Sequence, residues 1–134
     1  MSTSIGVIGS DLKFASEYIL NEASLKSAGV TESDAFMLGQ AQSSQEVVLI
    51  AATDITVGAA SKIIVEIFHS DTKDGSFTLA EKISEFTDTT WGIGAEMLRY
   101  VPNSNIKLFC KIKITTNGDQ SADKVTCYPV YIAR

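Results

Sequence analysis

Apolar and polar residues alternate most regularly near the C-terminus. The alternating apolar positions are Ile106, Leu108, Cys110, Ile112 and Ile114. A period of two residues predicts a strand with one buried face. A polar turn containing Asn117-Gly118 follows and residues 124–132 are apolar again, so the two segments predict a terminal β-hairpin. Pro129 cannot donate a ladder hydrogen bond, which predicts that the last strand lies at a sheet edge or carries a bulge.

Other segments show the same strand character. Residues 62–70 are rich in β-branched and aromatic side chains, and they predict a hairpin with residues 77–83 across a polar loop. Residues 47–52 and 97–101 predict two further short strands. No amphipathic stretch of about 12 residues separates these segments. We therefore expect an all-β fold, either an antiparallel β-sandwich or a jelly-roll-like barrel, with an N-terminal arm.

The N-terminal part is less regular, and we divide the chain into an N-terminal arm or edge segment, residues 1–25, and a β domain, residues 26–134. The first segment is rich in apolar side chains, namely Ile5, Val7, Ile8, Leu12, Phe14, Tyr18, Ile19 and Leu20. Their number is too large for a solvated tail. We expect this segment to become ordered against a neighbouring subunit or a partner protein. A strand or helix packed on the chain's own core is the alternative that the sequence leaves open.

Composition and charge narrow the classes of partner. The chain has 134 residues, 45% of them apolar and 20% charged, as in one globular domain. A formal net charge of −5 argues against nucleic acid and anionic membranes, because lysine and arginine supply the affinity for phosphates. Lys107, Lys111 and Lys113 are spaced to share one strand face, which we interpret as solvated. No apolar run approaches the roughly 20 residues of a membrane span, and the N-terminus lacks the pattern of a secretory signal, so folding in the cytoplasm is expected.

The two cysteines, Cys110 and Cys127, fall in the two strands of the predicted terminal hairpin. A disulfide between them is therefore geometrically feasible. Two cysteines are too few for a disulfide scaffold in a chain of this size. In a reducing cytoplasm we favour two buried thiols that pack as small apolar groups.

Candidate catalytic and ligand-binding groups are sparse. His69 is the one histidine, and we expect it to be structural rather than part of a nucleophile system. Gly92-Ile93-Gly94 lacks the third glycine of a dinucleotide-binding turn, so we interpret it as a loop. Turn chemistry accounts for the acidic residues that follow strand 62–70, and the glutamates resemble solvated side chains more than a glycosidase pair. We expect no enzyme activity, no metal site and no cofactor.

Three stretches together carry a family resemblance. They are residues 34–39 (DAFMLG) with 47–51 (VVLIA), residues 63–71 (IIVEIFHSD) with 74–77 (DGSF), and residues 98–101 (LRYV) with 107–112 (KLFCKI) and 122–126 (ADKVT). In this combination the chain resembles the capsid cement, or decoration, proteins of tailed bacteriophages, of the type of the Bordetella phage cement protein family. The resemblance covers about residues 24–133, and residues 1–23 do not match that pattern.

The resemblance implies a virion structural protein on the capsid exterior, assembled in the cytoplasm of the bacterial host. Its implied partners are the major capsid protein and further copies of itself, as a homotrimer, with neither nucleic acid nor membrane. We expect the interface to use Trp91 and the N-terminal residues Ile5, Val7, Ile8, Leu12, Phe14, Tyr18 and Ile19. The alternative is a carbohydrate-binding β-sandwich of a phage or bacterial surface protein, which would present aromatic rings on an exposed platform.

Overall fold

The computed structural model describes residues 18–38 and 44–132, and every regular element within these ranges is a β-strand. The strands are β1 Leu20–Ser24, β2 Gly29–Glu32, β3 Phe36–Met37, β4 Ser44–Ala51, β5 Ile55–Val57, β6 Ile63–Ser70, β7 Thr78–Phe86, β8 Thr89–Trp91, β9 Glu96–Tyr100, β10 Phe109–Thr116 and β11 Lys124–Ile132.

Two antiparallel sheets contain the long strands. Sheet A has the order β1-β11-β4-β9, and sheet B has the order β2-β10-β6-β7 with the short β3 beside β10. A small third sheet pairs β5 with β8. Along the chain the long strands alternate between sheets A and B, except that β6 and β7 are neighbours in sheet B. This is the strand order of a double-Greek-key jelly roll. The prediction of an all-β antiparallel sandwich is confirmed.

The core lies between the inner faces of the two sheets. Alternate residues of β4 and β11 face inward from sheet A, and alternate residues of β6 and β10 face inward from sheet B. The central contributors are Val47, Leu49, Ala51, Val125 and Cys127 from sheet A, and Ile63, Val65, Ile67, Cys110, Ile112 and Ile114 from sheet B. All of them are at most 1% exposed. Full burial of each valine, leucine or isoleucine contributes about 1.5–3 kcal/mol.

The predicted terminal hairpin is wrong, because β10 and β11 belong to different sheets. β10 pairs with β6 and β2, whereas β11 pairs with β4 and β1. The turn at Asn117 is tied to the loop before β6: its side-chain oxygen accepts a hydrogen bond from the Lys62 N–H at 2.7 Å. The following residues contact the β1–β2 loop, where the Gln120 N–H donates to the Lys26 carbonyl. The chain thus crosses from one sheet to the other.

The sheet crossing also settles the state of the cysteines. Cys110 lies on the inner face of sheet B and Cys127 on that of sheet A, and both are buried free thiols. The favoured interpretation, two thiols packed as small apolar groups, is confirmed. The strand pairing that made a disulfide between them feasible does not occur.

The prediction that the strand of Pro129 lies at a sheet edge or carries a bulge there is wrong as well, because β11 lies between β1 and β4 and pairs with β4 without a register shift. The Cys127 carbonyl accepts a hydrogen bond from the Ile19 N–H, so odd-numbered residues of β11 direct their backbone groups towards β1. Leu20 is the first residue of β1 in register with β11, opposite Cys127. The missing N–H of Pro129 therefore lies beyond the paired part of β1.

Bulges interrupt the edge strands. The pairing registers place one extra residue in β1, one in β9 at Met97, and two in β7 at Ala80 and Ile83. The bulge in β1 includes Glu22, whose φ is 49°. The fourth edge is divided between the short strands β2 and β3. Bulged and short edges resist the addition of another strand.

Candidate interaction surfaces

The predicted interface residues are distributed over different parts of the chain. Ile5, Val7, Ile8, Leu12 and Phe14 lie outside the described residues. Residues 20–24 of the predicted arm or edge segment form the edge strand β1. Leu20 and Leu25 belong to the buried core. The C-terminal part of that segment is therefore integral to the sandwich.

Tyr18 and Ile19 lie at the N-terminal end of β1. The ring of Tyr18 is 43% exposed and packs edge-on against Tyr128 of β11, with 6.3 Å between the ring centroids. Ile19 is half-buried against the core. The structure therefore places Tyr18 at the surface and Ile19 within the packing of the domain.

Trp91, the other predicted interface residue, is the last residue of β8. It is half-buried against the core and packs edge-on against Phe86, with 4.8 Å between centroids and an interplanar angle of 86°. The indole therefore packs the end of β8 against the end of β7. Trp91 thus contacts Phe86 on one side and stays partly accessible to solvent.

The residues after Trp91 form a loop, as the sequence predicted for Gly92-Ile93-Gly94, but the exposure of its isoleucine was not predicted. We call Trp91, Gly92, Ile93 and Gly94 the β8–β9 tip. Ile93 is 71% exposed, the highest value among the large apolar side chains of the described residues. The available signal was the position of Ile93 in a segment interpreted as a loop, because loops run over the protein surface.

Hydrogen bonds fix the backbone of the β8–β9 tip. The Asp54 carboxylate accepts a hydrogen bond from the Ile93 N–H at 2.8 Å. The Gly94 N–H donates to the Ala51 carbonyl at 2.7 Å, with a φ of 85° that glycine adopts without strain. The Ala51 N–H in turn donates to the Ala95 carbonyl at 2.9 Å. The exposed isoleucine is thus held on a pre-organised turn.

The outer face of sheet B is charged and open. A row across β2, β10, β6 and β7 consists of Glu32, Lys113, Glu66 and Lys82, with alternating signs. The Lys113 ammonium lies 3.8 Å from the Glu32 carboxylate and 4.2 Å from the centroid of the Phe68 ring. Exposed charge rows of this kind contribute a few tenths of a kcal/mol per pair.

The predicted lysine face is partly confirmed. Lys111 and Lys113 both lie on the outer face of sheet B, and the Lys111 ammonium sits 4.8 Å from the centroid of the Phe77 ring. Lys107 precedes β10 and forms an ion pair of 3.5 Å with Asp71 in the β6–β7 loop. The three lysines are therefore anchored individually and do not form one basic patch.

The outer face of sheet A differs. One row across it contains Tyr128, Val48 and Arg99, and the next contains Thr126, Ile50 and Glu96. Val48 is 1% exposed and Thr126 is 7% exposed. Arg99 bonds Glu46 and Glu96, at 2.9 Å each, and these two hydrogen bonds raise the pKa of the guanidinium. This face is therefore apolar in its centre and bordered by an ion-pair network.

His69 and the thiols have structural roles in the described part of the chain. The imidazole Nδ1 of His69 accepts a hydrogen bond from the Lys107 N–H at 3.2 Å, which connects β6 to the segment before β10. Cys110 lies opposite His69 in the ladder. Burial raises the pKa of the Cys110 thiol to about 12, and that of Cys127 also to about 12. Both sulfurs are therefore protonated at neutral pH and are poor nucleophiles.

The glutamates considered as a possible glycosidase pair have partners nearby. Glu81 accepts a hydrogen bond from the Tyr100 hydroxyl at 3.1 Å, which joins β7 to β9 across the open side of the sandwich. Hydrogen bonds from Lys82 and Lys62 lower the pKa of Glu85. In the residues the structure describes, no group of three or more histidine, cysteine or acidic side chains is placed to hold a metal ion. Within the same residues no helix is long and apolar enough to cross a membrane.

Comparison with known proteins gives no family and no relative for this chain. No protein-family model matches the chain, and no curated protein sequence matches it.

Proposed function

We propose that the protein is a virion structural protein that binds the outer surface of an assembled capsid and cements neighbouring capsomers. The β8–β9 tip carries this proposal. An exposed apolar side chain on a hydrogen-bonded turn loses little conformational entropy on binding, so it is suited to insertion into an apolar pocket of a partner. The jelly-roll strand order is compatible with the proposal, since viral capsid domains are among the proteins that use it.

A cement protein stabilises a lattice by mass action, because it binds the assembled shell and not the separate subunits. Many moderate contacts then act together on one particle. The bulged edges of β1, β7 and β9 support such a role, since a decoration protein at high local concentration must not polymerise through its sheet edges. The proposed homotrimer would accordingly form through loops or outer faces.

The carbohydrate-binding alternative requires aromatic rings that lie open and flat towards solvent. Trp91 packs edge-on against Phe86, and Tyr100 is only 5% exposed. Tyr18 and Tyr128 meet at 90°. These geometries favour packing roles for the rings, so protein binding remains the better-supported function.

Co-sedimentation tests the proposal. The probe is purified capsids of the virus that encodes the chain, with unassembled capsid protein as the reference. We expect binding to capsids and not to the free subunits, and we expect Ile93→Asp to weaken it at least about tenfold, as for loss of a central anchor. Val30→Asp is the matched control, because Val30 is 47% exposed on the outer face of sheet B.

Three outcomes would overturn the proposal: no binding of the unmodified protein to capsids, equal losses for the two variants, or binding to a glycan array that capsids do not compete. Turnover of an ester, glycoside or phosphate that disappears with His69→Ala would also contradict it. Sedimentation velocity at micromolar concentration tests the homotrimer separately.

A further inference from the structure

The outer face of sheet B is not polar throughout, because apolar side chains lie on both sides of its charge row. Val30 lies on one side, opposite Thr115, and is 47% exposed. Met37 and Leu79 lie on the other side, and each is 51% exposed. These three are half of the six large apolar side chains that are exposed in the described part of the chain. A sheet face that meets only solvent carries polar side chains, whereas clustered exposed apolar groups indicate a contact surface.

The charge row is complementary to itself. From β2 to β7 it reads Glu32, Lys113, Glu66 and Lys82, so its signs are reversed when it is read from β7 to β2. A second copy that packs face to face, about a two-fold axis parallel to the strands and between β10 and β6, presents the row in that reversed order. Glu32 of one copy then faces Lys82 of the other. Lys113 likewise faces Glu66, so all four facing pairs carry opposite charges.

The same two-fold axis also brings exposed apolar side chains together. Met37 faces outward from β3 at one edge of sheet B, since its neighbour Phe36 packs against the core, and Leu79 lies on β7 at the opposite edge. Met37 pairs with the first residue of β10 and Leu79 is the second residue of β7, so both lie at the end of the sheet that carries the β6–β7 loop. Reversal of the strand order therefore places Leu79 of one copy beside Met37 of the other.

The charges of the row are only partly satisfied within one chain. The Lys113 ammonium lies 3.8 Å from the Glu32 carboxylate, and both side chains are partly exposed. Lys82 is exposed and bonds Glu85, which is not a member of the row. Among the described residues, Glu66 takes part in none of the ion pairs. The row therefore has charges available for a partner of matching pattern.

We propose that the outer face of sheet B binds the same face of a second copy of this chain, as a two-fold dimer with its axis between Lys113 and Glu66. The strands of the two facing sheets align within about 30° of each other, as in other stacked sheets. The contact does not involve the β8–β9 tip, so it is independent of capsid binding. The same contact can join copies that belong to two of the proposed homotrimers.

The area of the face sets the strength of the contact. Its central strands β6 and β10 have eight residues each. Four strands about 4.8 Å apart, with a rise of about 3.3 Å per residue, give about 500 Å² per copy. Two facing copies bury about 1,000 Å², which is at the lower end of specific interfaces. The dimer is therefore weak and forms at high local concentration.

Charge variants test the pairing. Lys113→Glu with Lys82→Glu makes the row wholly acidic, and Glu32→Lys with Glu66→Lys makes it wholly basic. We expect each double variant to self-associate at least about tenfold more weakly than the unmodified protein, because every facing pair becomes like-charged. An equimolar mixture of the two should regain the association. Sedimentation equilibrium measures these dissociation constants, and a contact elsewhere on the molecule is common to all the variants, so their differences report this face.

A row with all four signs exchanged controls for folding, because it keeps the alternation of charges within the chain. It combines Glu32→Lys, Lys113→Glu, Glu66→Lys and Lys82→Glu. This variant should associate with itself as tightly as the unmodified protein does, but not with the unmodified protein, since every member of the row then faces its own sign. The proposal is wrong if the double variants associate as tightly as the unmodified protein, or if the exchanged variant pairs equally well with both.

A cross-link tests the two-fold axis. Leu79→Cys and Met37→Cys are made in separate chains and treated with a short bis-maleimide, while the native thiols are buried. We expect covalent dimers in the mixture of the two variants and not with either variant alone. The axis places Leu79 beside Met37, whereas two copies of the same residue lie three strand spacings apart, about 14 Å. Equal cross-linking of each variant with itself, or none in the mixture, would overturn the proposed pairing.

Discussion

The two outer faces of this sandwich differ in how far their side chains are exposed to solvent. Sheet B presents a charge row and exposed apolar side chains to solvent, whereas the centre of sheet A's outer face is a valine that is 1% exposed. The inner faces, by contrast, are alike, since both are apolar and nearly inaccessible. An outer face of an antiparallel sheet needs no cover when its residues are polar, and it needs one when they are apolar. The centre of sheet A's outer face therefore excludes solvent, whereas the outer face of sheet B does not.

Aspartate substitutions should give the largest difference between the faces. We expect Val48→Asp to lower the free energy of unfolding by about 3–5 kcal/mol, since it buries a charge in an apolar, covered position. Val30→Asp on sheet B should change it by less than about 0.5 kcal/mol. Urea denaturation of the two variants measures both values. Equal effects would mean that the faces are not different.

This difference could not be predicted from the sequence, although much of the strand pattern could. Alternation identified β10, which has one buried side, whereas β-branched and aromatic composition around a polar loop identified the β6–β7 hairpin. In β4, Val47, Val48, Leu49 and Ile50 form an unbroken apolar run. Such a run indicates burial on both faces but does not say what covers the second one.

Strand partners were harder to predict than strands. The segment after β10 contains Asn117-Gly118, a dipeptide typical of tight hairpins. Here Asn117 bonds the backbone of Lys62 instead, and the next strand joins the other sheet. Local turn chemistry does not report such long-range contacts. For the same reason the exposure of Ile93 was missed, since its position depends on the hydrogen bond that its N–H donates to Asp54, 39 residues earlier.

Stability at high pH should test whether the two inner faces exclude water to the same extent. Burial raises the pKa of Cys110 and of Cys127 to about 12, whereas an unfolded cysteine titrates near about 8.5. Above that lower value the folded state holds more protons than the unfolded state, so stability falls as pH rises towards 12. Each thiol contributes a slope of up to about 1.4 kcal/mol per pH unit.

In Cys110→Ala and in Cys127→Ala we expect the free energy of unfolding to decline less steeply above pH 9 than in the unmodified protein. The two substitutions should reduce the slope by similar amounts. Urea denaturation between pH 7 and about 11 measures the slope, and the difference from the unmodified protein removes the contribution of lysines and tyrosines. A change in only one of the variants would show that the inner faces differ in their access to water.

Charge reversal on the open face should give the smallest effect. Lys113→Glu places a third carboxylate between Glu32 and Glu66 in the row across sheet B, and like charges directly opposite each other destabilise a sheet. We expect a loss of about 0.5–1 kcal/mol at low salt, because the Lys113 and Glu32 side chains are 32% and 40% exposed and solvent screens them. Adding Glu32→Lys to this variant should recover part of the loss by restoring one opposite-charge pair. Thermal denaturation at low salt and at 1 M salt measures the stability of both variants. A loss of stability that is equally large at high salt would show that the packing of Lys113 on Phe68, and not the charge row, stabilises this face.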